Sequence, residues 1–107
     1  MKLDGYGYYT YDTATPVTPW SRFDLASLTK VVATTTAAMM LEEEGRLELD
    51  RPVAYYLPEF SDSAKAGITV RMLLTHSGGL EAFARLFETH RGREQYLQAI
   101  NSRPLQY

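Results

Sequence analysis

The residues best suited to chemistry are Ser27 and Lys30, spaced as Ser-x-x-Lys at the head of the segment S-L-T-K-V-V-A-T-T-T-A-A-M-M-L, in which Lys30 is the only ionisable side chain. On a helix, positions three apart share a face, with Cβ atoms roughly 5–6 Å from each other. The spacing therefore brings a hydroxyl and an amine together. Burial of an ammonium favours its neutral form, and a neutral amine beside a serine can take the hydroxyl proton, which turns a weak nucleophile into a strong one. The plainer alternative is a lysine at a helix start that carries its charge to solvent while its stem packs on apolar neighbours.

The elements that must position this pair are legible in outline. Phe23, Leu25 and Ala26 precede the serine, and the segment behind it is apolar nearly all round, a pattern that predicts burial in a core. Val31, Val32, Thr34, Thr35 and Thr36 are β-branched and weak helix formers. Packing rather than propensity is therefore expected to hold this helix, and to place Ser27 and Lys30 at an interior boundary. The helix is predicted from about Ala26 or Ser27 to Glu44, with Asp24 or Ser21 as candidate caps and Gly45 as the residue that ends it. Glu42, Glu43 and Glu44 lie at the negative end of its dipole, which is locally unfavourable.

Tyr6 to Tyr11 reads as a strand, Asp12 to Thr15 as a turn, and Pro16 and Pro19 as keeping the next stretch extended. Arg46 to Asp50 reads as a short extended piece. Pro52 is placed to start a short helix over Val53 to Leu57, which Pro58 ends. Ser61 to Gly67 is a polar loop. Thr69 is an N-cap for a helix over Val70 to Thr75, and Ser77-Gly78-Gly79 breaks it. Amphipathic stretches follow over Glu81 to Thr89 and Arg93 to Asn101, and Pro104 blocks further helix.

The 107 residues are enough for one small domain. With a net charge of −2 and its charges interspersed, the chain has no basic patch that would suggest nucleic acid or an anionic membrane. The apolar run from Val31 to Leu41 has 11 residues, three of them threonine, too short and polar to span a bilayer. The N-terminus has no apolar signal-like run, and the compartment is not readable. The absence of cysteine excludes disulfides, thiolate metal sites and cysteine nucleophiles. His76 and His90 have no cysteine or carboxylate spaced for a metal and are assigned structural or capping roles. Ser77-Gly78-Gly79 lacks the lysine and the strand–loop–helix setting of a phosphate loop. Glu48, Asp50 and Glu59 are read as surface or loop-capping groups, and most of the eight tyrosines as packing residues. No cofactor is implied.

Three segments in order then carry a resemblance: F-D-L-A-S-L-T-K with its apolar helix, L-E-E-E-G-R-L-E-L-D-R-P-V-A-Y-Y-L-P-E-F, and I-T-V-R-M-L-L-T-H-S-G-G-L. Together they resemble the serine β-lactamase-like family, which contains class C β-lactamases, D-alanyl-D-alanine carboxypeptidases and related esterases; the Ser-x-x-Lys element is also shared with penicillin-binding proteins. The resemblance extends from about Gly7 to Tyr107. It implies an α+β fold, here mainly α, representing the helical subdomain with a minor N-terminal β element. It implies Ser27 as acylating nucleophile, Lys30 as its activating partner, and a small ester, lactam or D-Ala-D-Ala peptide as substrate. Asp50 to Phe60 and Thr69 to Leu80 would be structural signatures.

The family completes its site with a Tyr-x-Asn element and, much further on, a strand bearing His-x-Gly or Lys-Thr-Gly. The chain is read as lacking both the Tyr-x-Asn element and the His-x-Gly or Lys-Thr-Gly element. Tyr107 is not assigned the tyrosine role. The chain is expected to be a single partial domain, roughly a third of the usual size, with weak or absent activity, since losing one oxyanion donor typically costs on the order of 10²–10³ in rate. The alternative is a catalytically silent helical module that covers its apolar faces by forming a homo-oligomer, or one that works only with a complementary fragment.

Overall fold

In the computed structural model, which describes residues 2–61 and 64–107, the regular structure is almost entirely helical. A π-helical segment, Lys30–Thr35, leads directly into α1 (Thr36–Glu43). There follow α2 (Val53–Tyr56), a 3₁₀ turn (Pro58–Phe60), α3 (Val70–Leu74), α4 (Leu86–Thr89) and α5 (Gly92–Ser102). Part of the polar loop expected over 61–67 lies outside the described residues.

Several boundaries form by the predicted chemistry. Gly45, at φ 67°, closes α1 in a Schellman arrangement: its N–H donates to the Glu42 carbonyl at 2.9 Å, and the Arg46 N–H donates to Leu41 at 2.8 Å. Pro52 precedes α2 and Pro58 opens the 3₁₀ turn. Thr69 caps α3, its Oγ1 accepting from the Met72 N–H at 3.2 Å. An antiparallel bridge between Pro52 and Thr69 ties the starts of α2 and α3 together. The Val53 N–H donates to the Ile68 carbonyl there at 2.7 Å, and the Val70 N–H to Arg51 at 3.1 Å.

The core gathers around this bridge. Val53, Phe60 and Ile68 are buried, with Leu57, Val70, Met72, Leu97, Ile100 and Leu105 packed against them. Ala99 of α5 is buried as well. Lys65 is buried and donates to the Asn101 carbonyl at 2.8 Å and to the Arg103 carbonyl, at the end of α5. A lysine in this position satisfies carbonyls that the helix leaves unpaired.

Two expectations fail here. The segment Tyr6 to Tyr11 forms no strand: a single antiparallel bridge joins Tyr8 to Pro16, flanked by bonds from Tyr9 N–H to Thr15 at 3.0 Å and from Val17 N–H to Gly7 at 2.8 Å. Pro16 has no N–H to extend the ladder, and an isolated two-stranded hairpin is marginal. Asp12 forms the turn, its Oδ1 accepting from the Ala14 N–H at 3.1 Å and from the Thr10 hydroxyl; the Thr10 bond, foremost, holds its carboxyl below the usual range. Arg46 to Asp50, read as a short extended piece, is irregular and ends in a turn, where the Arg51 N–H donates to the Glu48 carbonyl at 3.2 Å.

The second failure is burial of the apolar helix. Neither the π segment nor α1 has a buried residue, and Val31, Val32, Met39 and Met40 are each more than half exposed. Its apolar pattern is that of a core helix, but within this chain little lies over it. The molecule is accordingly open, with a radius of gyration of 18.9 Å, against about 13 Å for a compact chain of this length. Its accessible surface is 8740 Å², where about 6,000 Å² is usual for its mass.

Candidate active site at the head of the first helix

Ser27 follows a residue in an uncommon conformation. Ala26 adopts φ 44°, the left-handed region, which costs a non-glycine residue of order 1–2 kcal/mol. Asp24 supports the turn by accepting the Ala26 N–H on Oδ1 at 2.8 Å. Neither proposed cap engages the helix end itself: Ser21 instead accepts from the Thr18 N–H at 2.8 Å. Beyond Ala26 the chain winds at once into helical turns, with the Thr29 N–H donating to the Ala26 carbonyl at 3.1 Å and the Lys30 N–H to the Ser27 carbonyl at 3.0 Å.

This winding brings the two sequence-predicted residues together. Lys30 Nζ donates to Ser27 Oγ at 3.2 Å, within hydrogen-bonding reach. Both side chains are exposed, so the interior boundary expected from the sequence is not found. The helix has gained no covering layer, and the amine keeps access to water.

Lys30 also lines a cleft of about 350 Å³ with Met72, Leu73, His76, Gly78, Leu80, Glu81 and Ala82, a volume within the range of small-ligand sites. The wall opposite Lys30 is the turn after α3. The His76 N–H donates to the Leu73 carbonyl at 3.2 Å and His76 takes φ 55°, while the Thr75 and Ser77 hydroxyls are bonded at 2.9 Å. Tyr107 Oη donates to the His76 carbonyl at 3.1 Å, and the Gln106 N–H to Gly79 at 2.7 Å. Gly79 sits at φ 69°, where a Cβ would lie 2.6 Å from the Tyr107 carbonyl oxygen. The C-terminal residues thus buttress the wall of the cleft.

Sequence reasoning missed this wall because it depends on pairing Ser77–Leu80 with residues almost thirty positions on. Its one local signal was Gly78-Gly79. The expectation that His-x-Gly is absent is wrong as to the triplet itself: the sequence holds His76-Ser77-Gly78 after α3 and His90-Arg91-Gly92 at the start of α5. Neither lies on a strand, so neither has the setting in which the family uses that element.

The remaining charged candidates form pairs away from Ser27. Glu48 meets Arg51 at 2.7 Å, Asp50 meets Arg71 at 2.6 Å and Glu59 meets Arg93 at 2.7 Å. The side-chain hydrogen bond from Arg71 holds the Asp50 carboxyl below its usual range. Glu59 is lowered first by a backbone hydrogen bond and then by Arg93. His90 pairs its Nδ1 with Thr89 Oγ1 at 2.8 Å. Among the described residues no group of three or more metal-ligating side chains converges, and no helix is long and apolar enough to cross a membrane.

The serine–lysine pair that the three sequence segments led one to expect of a serine β-lactamase-like protein is thus in place at the head of the first helix, bonded across one turn, and the left-handed turn before it and the cleft that Lys30 lines are added by the structure. The Beta-lactamase family profile matches residues 2–107, and the chain belongs to that family. It is 33% identical over 86 residues to the mitochondrial serine beta-lactamase-like protein LACTB of Mus musculus, covering 77% of this chain and 15% of that protein. It is 35% identical over 78 residues to a beta-lactamase of Providencia stuartii, covering 73% and 20%. To a protein of Escherichia coli K12 named as a candidate D-alanyl-D-alanine carboxypeptidase it is 36% identical over 100 residues, covering 79% and 23%. The chain therefore spans less than a quarter of the length of these curated relatives. No solved structure matches.

Proposed function

We propose that this chain carries the nucleophile of a serine hydrolase, with Ser27 as the acylated residue and Lys30 as its base. The observation that carries the reading is the 3.2 Å hydrogen bond between Lys30 Nζ and Ser27 Oγ at the head of the helix. In its uncharged form the amine takes the hydroxyl proton as Oγ bonds to the acyl carbon of an ester, a lactam or a D-Ala-D-Ala peptide. The leaving alcohol or amine then receives that proton as its bond to the acyl carbon breaks. Water next attacks the acyl-enzyme, giving up a proton to the amine, which passes it to Ser27 Oγ as the bond to the acyl carbon breaks, so that the acid leaves and the hydroxyl and the neutral amine are regenerated.

Oxyanion stabilisation is the weak part of this site. The Ser27 N–H lies at a helix start, where backbone donors suit a developing negative charge. The second donor that the resemblance implies is borne on a strand, and the described residues contain none. Slow turnover is therefore expected. Hydrolysis of a nitrophenyl ester and of a chromogenic cephalosporin by the wild-type chain and by Ser27→Ala tests the reading. Activity unchanged in the variant would sink it.

The exposed apolar face of Val31, Val32, Met39 and Met40 favours a second reading, a catalytically silent module that pairs with further copies to cover that face. Light scattering on a chromatographed sample discriminates: a monomer over the micromolar range contradicts oligomerisation.

A further inference from the structure

Lys30 stands at a change of helical register. It opens the π-helical segment Lys30–Thr35, which continues without a break into α1. Short π segments are rare and frequent at functional sites. Val31, Val32, Thr34, Thr35 and Thr36 crowd their own turns when held in α geometry, so the local sequence yields easily to the wider register. One side chain reinforces it: Thr35 Oγ1 donates to the Lys30 carbonyl at 2.9 Å, five residues back, the spacing of the π register. In an α-helix a threonine hydroxyl reaches the carbonyl three or four residues back instead.

The two ends of this segment face different parts of the molecule. Thr35, Ala38, Met39 and Glu42 share a cavity of about 100 Å³ with Leu49 and Leu74. Lys30 lines the larger cleft with Leu73 and His76. A π turn holds one residue more than an α turn, and one residue corresponds to about 100° of rotation. With α1 lying across that small cavity from Leu49 and Leu74, the register of the π segment sets the direction in which Lys30 leaves the helix.

We propose that Thr35 is the positioning residue for Lys30: its hydroxyl holds the π register that sets the Lys30 side chain at the Leu73–His76 cleft with its amine on Ser27. The catalytic consequence rests on the reading of Ser27 and Lys30 given above; the structural consequence stands without it.

The test compares Thr35→Val, which keeps the shape and removes the hydroxyl, with Thr35→Ser, which keeps the hydroxyl. Thr35→Ala is the second hydroxyl-free variant, and its high α propensity safeguards folding. Two quantities are read on each: nuclear Overhauser cross-peaks from the Lys30 side chain to Leu73 and His76, and the rate at which a fluorophosphonate labels Ser27. In the Val and Ala variants the Lys30 cross-peaks are expected to vanish. Labelling should slow by roughly tenfold to a hundredfold, the penalty that a misplacement of about 1 Å brings, and Thr35→Ser should restore both. Folded Val or Ala variants that still show the cross-peaks overturn the proposal, as does a Ser variant that behaves like a hydroxyl-free one. Cross-peaks absent in Val and Ala but present in Ser, with no labelling even of the wild type, uphold the positioning role and refute the acylation reading instead.

Discussion

Arg71 grips Asp50 with two nitrogens, Nε on Oδ1 at 2.6 Å and Nη2 on Oδ2 at 2.8 Å, while the Arg71 N–H donates to the Leu49 carbonyl at 2.7 Å. The loop after α1 is thereby fastened to α3, the helix whose end forms the cleft wall. Because the folded chain lowers the Asp50 carboxyl, the pair stabilises the fold above the ordinary carboxylate range and loses that contribution as pH falls through the lowered value. Arg71→Met should therefore lower the thermal midpoint at pH 7. The difference from wild type should narrow below about pH 4, where an unperturbed aspartate takes up its proton, and also in high salt, since both groups are exposed. Melts from acid to neutral pH check this; a pH-independent difference would contradict it.

The small core leaves little reserve. Phe60 and Ile68 are among the few buried apolar residues, and truncations of buried Phe and Ile to Ala cost about 3–5 and about 2–5 kcal/mol. Phe60→Ala is expected to abolish cooperative unfolding, and Ile68→Val, at about 0.5–1.5 kcal/mol, to shift the urea midpoint measurably without abolishing the transition. A Phe60→Ala chain that melts like the wild type would show that the stability lies elsewhere.

Thr69→Ala removes the acceptor for the Met72 N–H and should cost about 1 kcal/mol. Thr69→Ser should recover most of it. Equal urea midpoints for the Ala and Ser variants would dismiss the cap.

Gly79→Ala sets a Cβ against the Tyr107 carbonyl oxygen at a left-handed φ. The strain should release Leu105 to Tyr107 from the wall, which amide exchange at Gln106 would report as faster exchange. Unchanged protection there would mean that the terminal residues do not depend on Gly79.

The parts read correctly from the sequence are those governed by neighbours in the chain. Gly45 ends α1 and Thr69 caps α3 because each motif closes within six residues. Ser27 and Lys30 meet because their spacing alone places them on one helical face. The parts misread depend on distant partners. The Tyr6–Tyr11 segment has the composition of a strand, but its neighbour contributes a proline that stops the ladder. The apolar pattern of the first helix predicts a cover that the chain does not place over Val31, Val32, Met39 and Met40. The amphipathic stretch from Glu81 yields helix only over Leu86–Thr89, its first residues being drawn into the cleft wall. The left-handed turns at Ala26 and His76 had no signal in the chain around them; alanine in particular does not favour that conformation.

The central claim, that Ser27 is a nucleophile activated by Lys30, is tested most directly by intact-mass spectrometry after incubation with a fluorophosphonate and, separately, with a penicillin. Wild type, Ser27→Ala and Lys30→Met should be run side by side. A single adduct on the wild type that is absent from Ser27→Ala and strongly reduced in Lys30→Met is the predicted result. No adduct on a folded wild-type sample, or one that persists in Ser27→Ala, would contradict the claim.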